Sequence, residues 1–205
     1  MAIESFNAEQ HARENLDPRV RRSRQMLHEA MASLLRKKSF EDISIQDIAE
    51  ESTLNRATFY SHYPDKHTLL QCMIGSRFQE LMARREVKLG SCEGALKALA
   101  LATCDFLLET SRATCGGKAQ LEGSVQAAIV AVLRAMLNEG LAYRALNGTV
   151  SAEVVTSTVA WAIFGAANTW VQTPERCSAE HMSELIDRLL SSILHSAVAP
   201  ASNLG

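Results

Sequence analysis

Along the first third of the chain, apolar residues recur at helical spacing and the recurrence breaks at short intervals. Val20, Leu27, Met31, Leu34 and Leu35 fall on one helical face, opened by Asp17-Pro18, an N-cap residue and a proline at the first helical position. Residues 39–43 read as a loop. Ser44 and Asp47 then form an S-x-x-D capping signature for a short helix with Ile45, Ile48 and Ala49 inward. Residues 51–54 break it, and Asn55 is a good cap for a second short helix, from Arg56 to His62. Pro64 suits the first turn of a longer helix over 65–88, which keeps Leu69, Met73, Phe78, Leu81 and Met82 inward.

Beyond Gly90 the pattern changes to long Ala/Leu-rich helices, predicted at 93–111, 118–138, 152–172 and 178–197. Cys115-Gly116-Gly117, Leu146-Asn147-Gly148 and Thr173-Pro174-Glu175 punctuate them. The pattern predicts an all-α protein. A polar arm covers 1–17, a three-helix helix-turn-helix domain 18–66, and a larger helical bundle 67–205. The helix after Lys66 belongs to both parts.

Composition agrees with this and excludes little else. Hydrophobic residues make up 47% and charged residues 21%, which suits a packed globular chain, and 10 Gly and 4 Pro in 205 residues leave few breakers. The N-terminus starts polar and lacks the basic-then-apolar order of a signal peptide. The apolar runs 125–137 and 154–171 are interrupted by Gln126, Arg134, Thr156, Ser157 and Asn168, so they read as bundle helices. The expected setting is cytoplasmic, with no membrane partner. Five cysteines form no CxxC pair and no zinc-spaced cluster with histidine, so buried reduced thiols are expected and no metal or cofactor. Cys104 and Cys115 are the two with an open redox question. No GxSxG, P-loop or HExxH motif occurs, which argues against an enzyme.

Charge shapes the nucleic-acid reading. The net charge is −2, and residues 1–66 hold ten Lys/Arg against eleven Asp/Glu. DNA binding must therefore come from charge sorted by face, with few phosphate contacts per subunit. Arg21, Arg22, Arg24, Arg36, Lys37 and Lys38 crowd the two ends of the first helix, either as a solvated face or as phosphate contacts.

Two short helices joined by a tight turn present the N-terminal half of the second helix to base edges. Arg56 could fork onto a guanine, Ala57 could pack on a thymine methyl, and Gln46 is a weaker candidate for base contact. Ser44, Thr58, Tyr60, His62 and Lys66 carry phosphate-donor groups. Phe59 is the expected core anchor, with Tyr63 beside it.

At these residues the chain resembles the TetR family of transcriptional regulators. The family pattern runs from a Thr-aliphatic start through Ile-Ala and a Gly turn to Thr-aromatic-Tyr-x-His/Tyr-aromatic-x-x-Lys. Here it reads Ser44-Ile45, Ile48-Ala49 and Thr58-Phe59-Tyr60-Ser61-His62-Tyr63-Pro64-Asp65-Lys66. The likeness covers roughly 18–70. One departure stands out: the turn is Ser52-Thr53-Leu54-Asn55, with Thr53 where the family has Gly. A β-branched residue tolerates positive φ poorly.

The resemblance implies an all-α homodimer on a pseudo-palindromic operator, usually a repressor released by a small molecule bound in the C-terminal domain. Gly165 and Asn168 on one helix, with Leu185, Leu189 and Ile193 on the last, suit a four-helix dimer interface, or else pack inside one subunit. Cys104, Phe106, Leu108, Met136, Trp161 and Phe164 line either an apolar effector pocket or an ordinary core. Few charges occur in the central helices, which favours an apolar or aromatic effector. The rival reading is a protein of the same fold whose helix-turn-helix surface binds a protein partner and not DNA.

Overall fold

In the computed structural model, Asp17 accepts the Arg19 N–H at 2.8 Å ahead of Pro18, so the first helix begins where its cap residue places it. The structure describes residues 17–85, 94–113, 118–141 and 150–197. Among these residues there are eight α-helices and no strand. They are α1 (Pro18–Leu35), α2 (Ile45–Glu51), α3 (Arg56–His62), α4 (Lys66–Arg84), α5 (Ala95–Ala113), α6 (Lys118–Leu141), α7 (Ala152–Gln172) and α8 (Ala179–Ala197).

The described residues divide into two units, one of 17–76 with 118–128 and another of 77–113 with 129–197. The dividing points fall within α4 and within α6. In the first unit α1 packs on α2 and touches α3, and α2 packs on α3. Leu27, Met31, Phe40, Ile43, Ile48, Phe59, Tyr63, Leu69 and Leu70 are its buried centre. Burial of each apolar side chain of this size is worth about 1.5–3 kcal/mol, which lets such short helices hold together.

In the second unit α5 packs against α7 and α8, and α7 against α8. Phe78 meets Phe106 edge-on with centroids 5.1 Å apart, and Arg85 pairs with Asp105 at 2.5 Å. Lys97 on α5 reaches Glu184 on α8 at 2.7 Å. Helix α7 has the length and apolar composition of a membrane span, yet Val155, Val159, Ala160, Ile163, Phe164 and Ala167 are buried inside the unit. Its buried polar residue, Thr156, returns its hydroxyl to the carbonyl of Ala152 at 2.9 Å.

Candidate nucleic-acid interface

Each short helix is fixed at its start by a side chain. Ser44 caps α2 in a reciprocal box: its Oγ accepts the Asp47 N–H at 3.1 Å, and Asp47 accepts the Ser44 N–H at 2.7 Å and its hydroxyl at 2.6 Å. Lys38 pairs with the same carboxylate at 2.8 Å. The hydrogen bonds from Lys38 and Ser44 hold the Asp47 carboxyl well below the usual range. Glu51 at the other end of α2 accepts from Ser33 at 2.6 Å and from Lys37 at 2.9 Å, and these bonds lower it in the same direction. Asn55 caps α3, taking the Thr58 N–H at 2.7 Å and the Thr58 hydroxyl at 2.9 Å.

Between the two helices lies the residue that departs from the family pattern. Thr53 has φ 57°, in the left-handed region. Its N–H donates to Glu50 O at 3.1 Å and the Leu54 N–H donates to Ala49 O at 3.0 Å. These two bonds are the Schellman closure, whose first residue past the cap is normally glycine. The turn has the glycine-type geometry with threonine in it.

Helix α3 then sorts its residues by face. Phe59 and Tyr63 are fully buried, while Arg56, Ala57 and Tyr60 are exposed, Tyr60 at 49%. Arg56 makes no ion pair or hydrogen bond among the described residues. The Tyr60 ring stands edge-on to Phe59 at 5.5 Å, so its phenol is carried on a supported ring. His62, half-buried, lies in the last turn of α3 beside Tyr63. Gln46 is exposed on α2, and its amide donates to Glu50 at 2.7 Å.

Three of the expected phosphate donors are engaged inside the domain. The Ser44 hydroxyl donates to Asp47 and the Thr58 hydroxyl to Asn55. Lys66 is the most fully engaged of the three. Its ammonium donates to Phe40 O at 3.0 Å, Glu41 O at 3.0 Å and Ile43 O at 2.9 Å, and sits 4.7 Å from the centroid of the Phe40 ring. An ammonium has three protons, and all three close the loop between α1 and α2. In this structure Lys66 clasps that loop.

One group escaped the sequence reading. Arg24 was counted with the basic cluster, but it is buried; its Nε donates to the Tyr63 hydroxyl at 2.8 Å. His28 Nε2 lies 2.9 Å from the same oxygen. Burial, and then the Arg24 charge, lower the His28 pKa to about 4. The signal was present in the spacing, because position 24 lies on the same helical face as 20, 27 and 31.

In the second unit the predicted pocket residues separate. Cys104, Phe106 and Phe164 are buried, and Leu108 and Met136 are half-buried. Trp161 is 48% exposed and turns its ring edge-on to Phe164 at 6.4 Å. Burial pushes the Cys104 thiol up to about 12, which leaves no thiolate for redox chemistry at neutral pH. Cys115 lies outside the described residues. Of the dimer candidates, Gly165, Leu189 and Ile193 are exposed, and Asn168 and Leu185 are half-buried.

A capped helix, a tight turn and a second helix with a polar outer face define a helix-turn-helix DNA-binding domain. The sequence profile of bacterial regulatory proteins, tetR family, matches residues 27–73, the stretch that holds α2, α3 and the turn between them. Over 90 residues, 43% of this chain, it is 36% identical to the HTH-type transcriptional regulator YxbF of Bacillus subtilis (strain 168), and it spans 24% of that protein's length.

Among solved structures, RolR in complex with resorcinol superposes with TM-score 0.54 at 14% identity, covering 92% of this chain and 99% of RolR. The TetR family repressor AlkX from Dietzia sp. strain DQ12-45-1b gives 0.53 at 19% identity, covering 85% and 98%. At these identities the likeness establishes a shared fold.

Proposed function

We propose that the chain is a cytoplasmic, homodimeric repressor that reads an inverted-repeat operator through α3 and is released by a small apolar or aromatic effector. The observation that carries this reading is the sorting of α3, with Arg56, Ala57 and Tyr60 outward over buried Phe59 and Tyr63. Arg56 and Ala57 meet base edges, with Gln46 at the margin. Tyr60 and His62 meet phosphates. Ser44 and Thr58 position the helices whose N-termini approach the backbone.

Dimerisation is supported by an exposed apolar stripe. Val154, Trp161 and Gly165 lie along one side of α7, and Leu189 and Ile193 along α8, with Leu189 exposed at 69%. A methyl group built at Gly165 meets nothing within 4 Å, so that side of α7 is open to a second copy. Two-fold pairing gives two recognition helices, which read successive major grooves when about 34–36 Å apart. The effector site is the apolar wall of Cys104, Phe106, Leu108, Met136 and Phe164. Binding there would favour a dimer of the wrong spacing. RolR, which has the same fold, was solved with an aromatic diphenol.

Selection of duplexes from a randomised pool tests the reading. Enrichment of an inverted repeat, with affinity falling steeply as salt rises, is expected. Absence of any preferred sequence sinks it and leaves the protein-binding alternative, which the near balance of charge in residues 1–66 favours.

A further inference from the structure

We propose that Arg24 and His28 are positioning residues for the recognition helix: through the Tyr63 hydroxyl they fix the rotation of α3 against α1, and so which base edges Arg56 and Ala57 meet. The inference rests on the DNA-binding reading above. Arg24 and His28 are four residues apart on α1, and both reach one oxygen, at 2.8 and 2.9 Å. That oxygen belongs to the C-cap residue of α3, a helix of seven residues. Asn55 holds the other end and Phe59 the middle.

Burial of Phe59 resists withdrawal of α3, but the hydrophobic term that drives it has no direction of its own. The Tyr63 hydroxyl supplies direction. Arg24 Nε can only donate, so the phenol oxygen accepts from it. With the imidazole proton on Nδ1, the phenol gives its own proton to His28 Nε2, and this is the tautomer the proposal requires. Stability alone does not explain a buried cation, since an apolar residue of similar volume often serves as well. What the charged chain adds is one preferred geometry. The Arg24 guanidinium also lies 5.2 Å from the centroid of the Tyr63 ring, which fixes the ring's face as well as its hydroxyl.

The test uses the full chain and the duplex it selects from a randomised pool, with a scrambled duplex as control. Tyr63→Phe and His28→Leu should lower the ratio of selected to scrambled affinity by about fivefold or more. The scrambled affinity and its salt slope should stay unchanged. His28→Gln, which keeps an acceptor where Nε2 stood, should restore the ratio. A merely structural loss of folded protein lowers both affinities equally and leaves the ratio intact; that result overturns the proposal. If Tyr63→Phe does not fold, the Leu and Gln variants at position 28 decide it. Nitrogen-15 NMR of wild-type imidazoles should find His28 Nε2 unprotonated at neutral pH, and a protonated Nε2 overturns the proton order. Failure of the wild-type chain to select any duplex overturns the DNA-binding reading itself, a result distinguishable from an unchanged ratio.

Discussion

Two surfaces of this molecule face outward for opposite chemical reasons. On α3 a polar face is held out by fully buried Phe59 and Tyr63, and on α7 and α8 an apolar stripe lies exposed over a core that is already complete. The first is built by caps and hydrogen bonds, each with a named partner. The second carries large apolar side chains that stay in part exposed on their own unit, Trp161 at 48% and Leu189 at 69%. Polar residues facing water need no explanation, whereas contiguous exposed apolar residues on adjacent helices mark an interaction surface. Under the function proposed above, specificity falls to the first surface and assembly to the second.

Breaking the apolar surface should have the largest effect. Leu189→Glu changes a residue 69% exposed, so the isolated fold should tolerate it. Light scattering should show half the wild-type mass. Affinity for the selected duplex should fall about 10²–10⁴-fold, because the second half-site is then no longer held close by the first. An intact dimer moves the interface off α8.

The next effect tests the polar unit by pH. His28 has an ordinary pKa of 6.5, lowered to about 4 in the folded chain. Between these values the unfolded chain binds the proton more readily, so stability rises with pH. It should be complete above pH 6.5 and fall by roughly 3 kcal/mol as pH drops to 4. Urea unfolding across that range measures it, and His28→Gln should flatten this part of the profile. A wild-type profile as flat as the variant's would mean that His28 is not held neutral.

Arg56→Ala and Lys66→Met separate contact from support within the polar unit. Arg56→Ala should cost about 1–3 kcal/mol of binding and relax preference at one base position per half-site, with urea stability unchanged. Lys66→Met should do the reverse. It leaves the carbonyls of Phe40, Glu41 and Ile43 without their donor, and about 1–3 kcal/mol of unfolding free energy should be lost. The salt slope of DNA binding should not change. A slope reduced by one phosphate in Lys66→Met would restore the phosphate role expected from sequence.

That contrast also shows what was legible in the sequence. Helix starts were readable because each depends on one local residue: Asp17, Ser44 and Asn55 all cap as their type dictates. The buried faces of α1, α2 and α4 followed from spacing. Partners distant in the chain were not readable. Lys66 and the carbonyls it closes are more than twenty residues apart, and nothing local distinguishes a clasp from a phosphate contact. Arg24 was misjudged because charge was weighed ahead of its position on the helix. The 48% exposure of Trp161 was not readable either, because a largely apolar helix gives little sign of which side faces a neighbour within the subunit.

The smallest expected effect concerns Thr53, the departure the sequence made visible and the structure explains. Its φ of 57° places a β-branched side chain in the left-handed region, at a cost of about 1–2 kcal/mol relative to glycine. Glycine loses about 0.5–1 kcal/mol more conformational freedom on folding. The difference predicts that Thr53→Gly raises stability by roughly 0.5–1 kcal/mol, read as a higher urea midpoint. Thr53 is exposed, so no packing is lost with the side chain. Because the two Schellman bonds already set the path of the chain, α3 should keep its orientation and the selected duplex should stay the same. A gain in stability accompanied by an altered base preference would mean that the threonine tunes the angle of α3, which would make the turn part of the recognition surface and not only its support.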